Sequence, residues 1–311
     1  MLEMNHILIV SPMYKQLKSL IEKENLPNQF RFLPEEELSE DDLCWADGLA
    51  AFNLKGDLDY SHVKWVHSLG AGVDRFLYQR PWPEKVLLTR TICSFGQRIA
   101  QYCLSYILKD LQCHDEFKER QREKKWQPRT PKMLSEQKVI IYGTGEIGQE
   151  AAKALSHFGV EVYGVSLSGE QKEYFKEVMT VDAHFSILSE VNYLINTMPL
   201  TERTAGFFNE KIFEQVKEAG FINVGRGASV KEDALLSALN RNQIRSAVLD
   251  VFAEEPLPAE HHFWDHPNVV ITPHISAVTT PEEGAACFFE TLRNIEAGTP
   301  ITNVADRLKG Y

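Results

Sequence analysis

The stretch Lys138 to Gly159, KVIIYGTGEIGQEAAKALSHFG, constrains this chain more than any other. Val139, Ile140, Ile141 and Tyr142 form the short apolar run required of a parallel strand that is covered on both faces. Gly143, Gly145 and Gly148 follow in the spacing G-x-G-x-x-G, and Ala151, Ala152 and Leu155 continue at helical spacing. The three glycines have separate physical tasks. Gly143 turns the chain out of the strand, Gly145 leaves room for a pyrophosphate against the backbone, and Gly148 lets helix and strand pack closely. Glycines at this spacing also occur in ordinary turns. Here a strand precedes them, a helix follows, and a second apolar run from Val160 to Val165 comes next. That context predicts a dinucleotide whose phosphates rest on the helix N-terminus and on Gly143, Thr144, Gly145, Glu146, Ile147 and Gly148.

The remainder of the chain must surround this unit. At 311 residues, 43% hydrophobic and 25% charged, it has the composition of a globular protein, and its length predicts two domains. A net charge of -11 argues against a nucleic-acid or anionic-membrane partner. The apolar run in MLEMNHILIV is too short for a signal sequence, and no stretch approaches a membrane span, so a cytoplasmic protein is expected. Five cysteines, Cys44, Cys93, Cys103, Cys113 and Cys287, show no C-x-x-C spacing and read as reduced packing residues. His261, His262 and His266 cluster in a Pro-rich loop without ligand-like partners, so no metal is expected.

Before Lys138 the chain alternates strand-like and helix-like segments. His6–Val10, Gly48–Phe52, Val63–Ser68 and Val86–Thr89 read as strands, and Met13 to Lys23 as a helix. This is a second α/β unit without a phosphate fingerprint. After its Val63–Ser68 strand comes Leu69-Gly70-Ala71-Gly72-Val73-Asp74, in which Gly70, Ala71 and Gly72 offer either a backbone nest for a carboxylate or a plain tight turn. Ser94 to about Glu123 predicts one long helix, whose end runs into a basic stretch, Lys118 to Lys132, that encloses Trp126. The charges read as a solvated helix end, but a Trp among Lys, Gln and Pro calls for a cover.

Beyond Lys138 the strands are expected at Val139–Tyr142, Val160–Val165, Val191–Asn196, Phe221–Val224, Ala247–Val251 and Val269–Thr272, with helices at Asn209–Lys217, Lys231–Asn240 and Pro281–Gly298. In open parallel sheets ligands bind at the carboxyl ends of strands. Those ends carry Ser166, Leu167 and Ser168, then Thr197, Met198 and Pro199, then Val224, Gly225 and Arg226, then Asp250, Glu255 and His274. Arg226 offers a planar fork of donors for a carboxylate and an adjacent carbonyl. His274 changes charge near neutral pH, and Glu255 is placed to orient it. Singly, each has an ordinary reading as a loop or helix-entry residue. After successive strands they are together the parts of a carbonyl reductase.

GTGEIG, NTMPLTERTAGFFN, FINVGRGASV, LDVFAEEPLP and ITPHISAVT, in that order and with GAGVD before them, resemble the D-2-hydroxyacid dehydrogenase family over nearly the whole chain. SLGAGVD, the WQP at Trp126, PHISAVT and the ending VADRLKGY look like its glyoxylate- and hydroxypyruvate-reducing branch. The resemblance implies an α/β protein of two Rossmann-like domains with doubly wound parallel sheets and the active site in the interdomain cleft. Residues 1–98, completed by 282–311, would form the substrate-binding domain and 99–281 the dinucleotide-binding domain. Arg226 would grip the substrate carboxylate and polarise its carbonyl, helped by Gly70 to Gly72. His274 would protonate the carbonyl oxygen as hydride arrives, Glu255 would orient His274, and Asp250 would face the nicotinamide carboxamide. A homodimer is implied, in which Trp126 reaches the other subunit's site and touches substrate. Gln101 stands where many members carry a glutamate. Ser166 stands where NAD-specific members carry an acid, with no basic residue in Ser166-Leu167-Ser168, so NADPH is slightly preferred and NAD stays open. The other readings are a phosphoglycerate dehydrogenase-like enzyme and a dinucleotide-sensing, corepressor-like regulator on the same fold. Formate dehydrogenase is disfavoured, because it carries glutamine where Glu255 stands.

Overall fold

The computed structural model describes residues 3–52, 54, 56, 58–307 and 309–310. Asn53, and Leu308 and Tyr311 of the VADRLKGY ending, lie outside the described residues. The chain divides into two units, Met1–Phe95 with Val278–Tyr311, and Gly96–Ala277. The divisions expected from the sequence stand at 98/99 and 281/282.

In the first unit β1 (His6–Val10), β2 (Gln29–Leu33), β3 (Gly48–Ala51), β4 (Trp65–Ser68) and β5 (Leu87–Arg90) pair in the order β2-β1-β3-β4-β5, every pair parallel. Alternation along β1 divides its side chains between two cores. Leu8 and Val10 pack with Leu43 and Phe76 of α2 (Glu40–Trp45) and α3 (Asp74–Leu77). Ile7 and Ile9 pack with Leu17 of α1 (Tyr14–Ile21) and with Phe288 and Leu292 from the C-terminal part of the chain. After Thr299 the chain runs beside β5, where Arg90 N–H donates to Asn303 O and Ala305 N–H to Leu88 O. The edge strand β2 has no counterpart in the sequence reading.

The single helix expected from Ser94 to about Glu123 is two, α4 (Phe95–Leu111) and α5 (His114–Arg122), because Cys113 between them takes a left-handed conformation at φ 56°. The break falls where burial stops. Ile99, Cys103, Ile107 and Leu111 of α4 join the core, whereas α5 buries nothing.

The sheet of the second unit comprises β6 (Lys138–Tyr142), β7 (Glu161–Ser166), β8 (Glu177–Thr180), β9 (Tyr193–Asn196), β10 (Ala219–Asn223), β11 (Ile244–Leu249) and β12 (Val269–Ile271). The order is β12-β11-β10-β9-β6-β7-β8, all parallel, and it reverses direction between β6 and β9. That reversal is the crevice at which open α/β sheets bind ligands. Val139 and Ile141 face the core that contains α4 and α6 (Glu146–Ser156). Ile140 and Tyr142 face the core that contains α7 (Glu210–Phe213) and α8 (Glu232–Asn240). α7 is shorter than the expected Asn209–Lys217 span, although Val216 beyond its end is still buried.

α9 (Pro281–Ala297) is closed at both ends as its sequence dictates. Thr280 and Glu283 form a reciprocal capping box, Pro281 opens the first turn, and Gly298 ends the helix at φ 69°. Among the described residues no helix is long and apolar enough to cross a membrane.

Candidate active site

The glycine loop behaves as its spacing requires. Gly143 has φ +94°, and a Cβ there would lie 2.7 Å from Thr197 Oγ1. Thr197 Oγ1 is fixed at hydrogen-bonding distance from Tyr142 O and Gly143 O, 2.9 and 3.0 Å, so the end of β9 pins the turn after β6. A Cβ on Gly148 would sit 1.9 Å from Gly143 O, so only glycine lets α6 pack this close. A Cβ on Gly145 would meet nothing within 4 Å, which leaves open space at the N-cap of α6. Thr144 and Met198 are buried below, Ile147 is half-buried and Glu146 exposed. The residues therefore fit a pyrophosphate, which would meet the unpaired N–H groups of the first helical turn.

At the end of β7 Ser166 Oγ accepts the Gly169 N–H at 3.1 Å and Ser168 Oγ accepts the Glu170 N–H at 3.2 Å. Both hydroxyl hydrogens remain to donate outward. Lys172, the nearest cation in sequence, pairs with Glu170 at 2.9 Å, and Leu167 between the serines is exposed.

Arg226 follows β10, between two glycines that are there for close approach. A Cβ on Gly225 would lie 2.7 Å from Met198 O, and one on Gly227 would lie 1.9 Å from the carbonyl carbon of Phe252. Beneath Arg226 lies a polar network that sequence reasoning did not single out. Asn196 Nδ2 donates to Asn223 Oδ1 and to Ser229 Oγ, each at 2.8 Å. Asn223 Oδ1 also accepts the Gly225 N–H, and Ser229 Oγ donates to Arg226 O at 2.6 Å. All three side chains are buried and mutually satisfied, which makes the backbone at Arg226 rigid. The available signal was an asparagine ending an otherwise apolar strand, twice, at Asn196 and Asn223. The Arg226 guanidinium is half-buried and donates from Nη1 to Gly225 O at 2.8 Å.

His274 and Glu255 come together. His274 Nδ1 lies 2.8 Å from Glu255 Oε2, and Glu255 Oε1 accepts the Phe252 N–H at 2.9 Å. Burial works to raise the Glu255 pKa, but the His274 hydrogen bond, the Phe252 N–H and the charges of His274 and Arg226 outweigh it and hold the carboxyl below its ordinary range. Arg226 is thus electrostatically coupled to the pair.

His274 is itself at φ +55°, and its N–H donates to Asp250 O at 2.9 Å and to Thr272 O at 3.0 Å. Asp250 is fully buried and braces this loop. Its Oδ1 accepts from Thr272 Oγ1 at 2.5 Å and from the Ile275 N–H at 2.8 Å, and its Oδ2 accepts the Ser276 N–H at 2.9 Å. Tyr102 on α4 reaches the same group, with its hydroxyl 2.6 Å from Thr272 Oγ1. The expectation of Asp250 facing the nicotinamide did not anticipate this inward role.

In the first unit Gly70, Ala71 and Gly72 are half-buried, and Ser68 Oγ donates to Gly72 O at 2.8 Å across the loop. Trp126, expected at a substrate, is 99% exposed, and its own chain does not bring it to Arg226, Glu255 or His274. His261 pairs with Glu232 at 3.1 Å, and among the described residues no three metal-ligating side chains gather.

Residues 104–276 match the family described as D-isomer specific 2-hydroxyacid dehydrogenase, NAD binding domain. Over 256 residues the chain is 36% identical to a glyoxylate/hydroxypyruvate reductase A of Serratia proteamaculans, covering 80% of this chain and 82% of that one. Among solved structures, an NADPH-dependent glyoxylate/hydroxypyruvate reductase of Sinorhizobium meliloti, in complex with NADP and sulfate, superposes with a TM-score of 0.87 at 26% identity, over 99% of this chain and 100% of that one. A D-isomer specific 2-hydroxyacid dehydrogenase of Xanthobacter autotrophicus, in complex with NADPH and MES, gives 0.86 at 28% identity over the same shares.

Proposed function

The chain belongs to the D-isomer specific 2-hydroxyacid dehydrogenase family, and we propose that it reduces small 2-oxo acids, such as glyoxylate or hydroxypyruvate, to D-2-hydroxy acids. The Glu255–His274 pair beside Arg226 carries this reading. Glu255, kept ionised by its neighbours, accepts from Nδ1–H, so that in the imidazolium form the proton to be transferred is the one on Nε2. Arg226, on a backbone fixed by Asn196, Asn223 and Ser229, binds the substrate carboxylate and polarises the adjacent carbonyl. His274 delivers the proton to that carbonyl oxygen. The loop at Gly70 to Gly72 is assigned to the same carboxylate through its backbone N–H groups.

A bound nicotinamide dinucleotide supplies the hydride. Gly143 to Gly148 would hold its pyrophosphate, Thr197, Met198, Pro199, Val224 and Gly225 at the neighbouring strand ends would contact the rest of it, and Asp250 keeps the His274 loop in place. Ser166 and Ser168, with Leu167 between them, receive the adenosine ribose. NADPH is preferred and NADH tolerated, because the serines donate to a 2′-phosphate without neutralising it. The two solved relatives described as bound to NADPH or NADP support that assignment. The protein works as a cytoplasmic homodimer. In support, its five cysteines are free thiols, and Trp126 and Met133 stand exposed on the basic segment after α5, where a second copy would cover them.

The test is a panel of 2-oxo acids assayed with NADPH and with NADH. Oxidation of the reduced cofactor with glyoxylate or hydroxypyruvate is expected. No turnover with any 2-oxo acid would reject the reading.

A further inference from the structure

The carboxylate loop of the first unit rests on a buried polar chain that no part of the proposed chemistry uses. Trp65 Nε1, which can only donate, donates to Thr89 Oγ1 at 2.8 Å. Thr89 Oγ1 lies 2.8 Å from His67 Nδ1, and Thr91 Oγ1 lies 3.2 Å from His67 Nε2. Thr91 Oγ1 donates to Ser68 O at 3.0 Å, and a carbonyl can only accept. The single hydrogen of Thr91 is therefore committed to Ser68, so Thr91 accepts from Nε2–H, and Nδ1 accepts from Thr89. Every bond points the same way, from Trp65 to Ser68. Trp65, His67, Thr89 and Thr91 are fully buried, and burial pushes the His67 imidazole down to about 3, in agreement with the neutral Nε2–H tautomer this direction requires.

The chain ends on the loop. Thr91 also donates its backbone N–H to Ser68 O at 2.8 Å and to Gly70 O at 3.2 Å. Ser68 Oγ donates to Gly72 O at 2.8 Å. The carbonyls of Gly70 and Gly72 are thus both turned toward Ser68 and Thr91. A planar trans peptide holds its C=O and N–H antiparallel. Pinning Gly70 O consequently aims the Ala71 N–H to the opposite side, and pinning Gly72 O does the same for Val73. Neither N–H meets an acceptor among the described residues.

We propose that Ser68 and Thr91 are positioning residues for substrate, which aim the Ala71 and Val73 N–H groups at the 2-oxo acid carboxylate, and that His67 relays the orientation of Thr91. The inference rests on the reductase reading given above. Removing the Thr91 hydroxyl takes from Ser68 O one of its two donors and cuts the tie to His67, while removing the Ser68 hydroxyl releases Gly72 O directly; either change loosens the seat of the loop and weakens ground-state binding of the carboxylate while the proton donor stays in place.

The experiment compares wild type, Thr91→Val, Thr91→Ser and Ser68→Ala in the full chain, with glyoxylate and hydroxypyruvate as substrates and NADPH affinity measured separately. Thr91→Val and Ser68→Ala are expected to raise KM on the order of tenfold, the scale of one hydrogen bond of ~1–1.5 kcal/mol, with kcat and NADPH affinity within about twofold of wild type. Thr91→Ser, which keeps the hydroxyl, restores KM. If Thr91→Val does not fold, Ser68→Ala reads the same loop from its other end. Unchanged KM in both variants overturns the inference, as does a loss of kcat and cofactor affinity in parallel with KM, which would mark general damage. A wild type inactive on all 2-oxo acids overturns the reductase reading, and the inference with it.

Discussion

His274 Nδ1 stands 2.8 Å from Glu255 Oε2, while the second oxygen of Glu255 is held by the Phe252 N–H at 2.9 Å. The carboxylate is therefore anchored on one side and can orient the imidazole with the other. His274→Ala is expected to lower kcat about 10²–10⁴-fold, the usual contribution of general acid catalysis. Glu255→Gln keeps the shape and loses the charge, and should cost about 10–100-fold, corresponding to the ~1.5–3 kcal/mol of a charge-assisted hydrogen bond. Steady-state kinetics on purified variants checks both. A wild-type rate in His274→Ala would dismiss the assignment.

The same pair makes stability depend on pH in a direction that follows from Glu255. Its folded-state pKa lies below the ordinary 4.5 of the unfolded chain. The unfolded state thus binds the proton first on acidification. The contribution is complete above the ordinary value and is lost as pH falls through the folded one. Thermal unfolding followed from pH 7 downward should show wild type losing its advantage over Glu255→Gln below the ordinary value. The comparison cancels other carboxylates with lowered pKa, such as Asp42 and Asp47. A constant difference between the two proteins at all pH values would contradict this.

Two glycines separate stability from ligand affinity. Gly227→Ala places a Cβ 1.9 Å from the Phe252 carbonyl carbon, and should destabilise by about 1–3 kcal/mol or more as an overpacking change. Gly145→Ala meets open space at φ -72°, so the fold should tolerate it. The added methyl instead occupies the place proposed for the pyrophosphate. Denaturant titration and fluorescence titration with NADPH distinguish the two. Equal stability losses in both variants would count against the glycine assignments.

Ser166→Asp tests cofactor choice. The carboxylate can still accept the Gly169 N–H that Ser166 Oγ now accepts, so the turn should survive. It would bond a ribose 2′-hydroxyl and repel a 2′-phosphate. The ratio of kcat/KM for NADPH over NADH should fall about 10–100-fold, the scale of a 1.4–2.8 kcal/mol change. For wild type, NADPH should lead by no more than about two orders of magnitude, the range of ordinary coupling energies. A strong wild-type preference for NADH would show that this turn had been misread.

Trp126, 99% exposed in its own chain, tests assembly. Light scattering is expected to give a mass twice that of the 35.5 kDa chain, with Trp126→Ala loosening either the dimer or the selectivity for small oxo acids. A 35.5 kDa monomer at working concentration would end the proposed role of Trp126.

What the sequence determined by itself is what local chemistry encodes. The central strands are buried on both faces, so their composition alone marks them, and β1 begins and ends at His6 and Val10 as read from the apolar run. Gly143 and Gly148 of the phosphate loop are equally legible, because positive φ at the first and close approach at the second leave no other residue type. The places of Arg226, Glu255 and His274 after successive strands were readable too, because each follows an apolar run. Tertiary structure alone decided the rest. The edge strands β2 and β8, QFRFL and EVMT, are half-exposed and carry mixed patterns, so the strand each pairs with makes them strands. The break at Cys113 depends on where α4 runs out of surface to bury. Asn196, Asn223 and Ser229 are ordinary polar residues in a sequence, and they become the support of Arg226 only because burial obliges each to find a partner far along the chain, 27 and 33 residues apart.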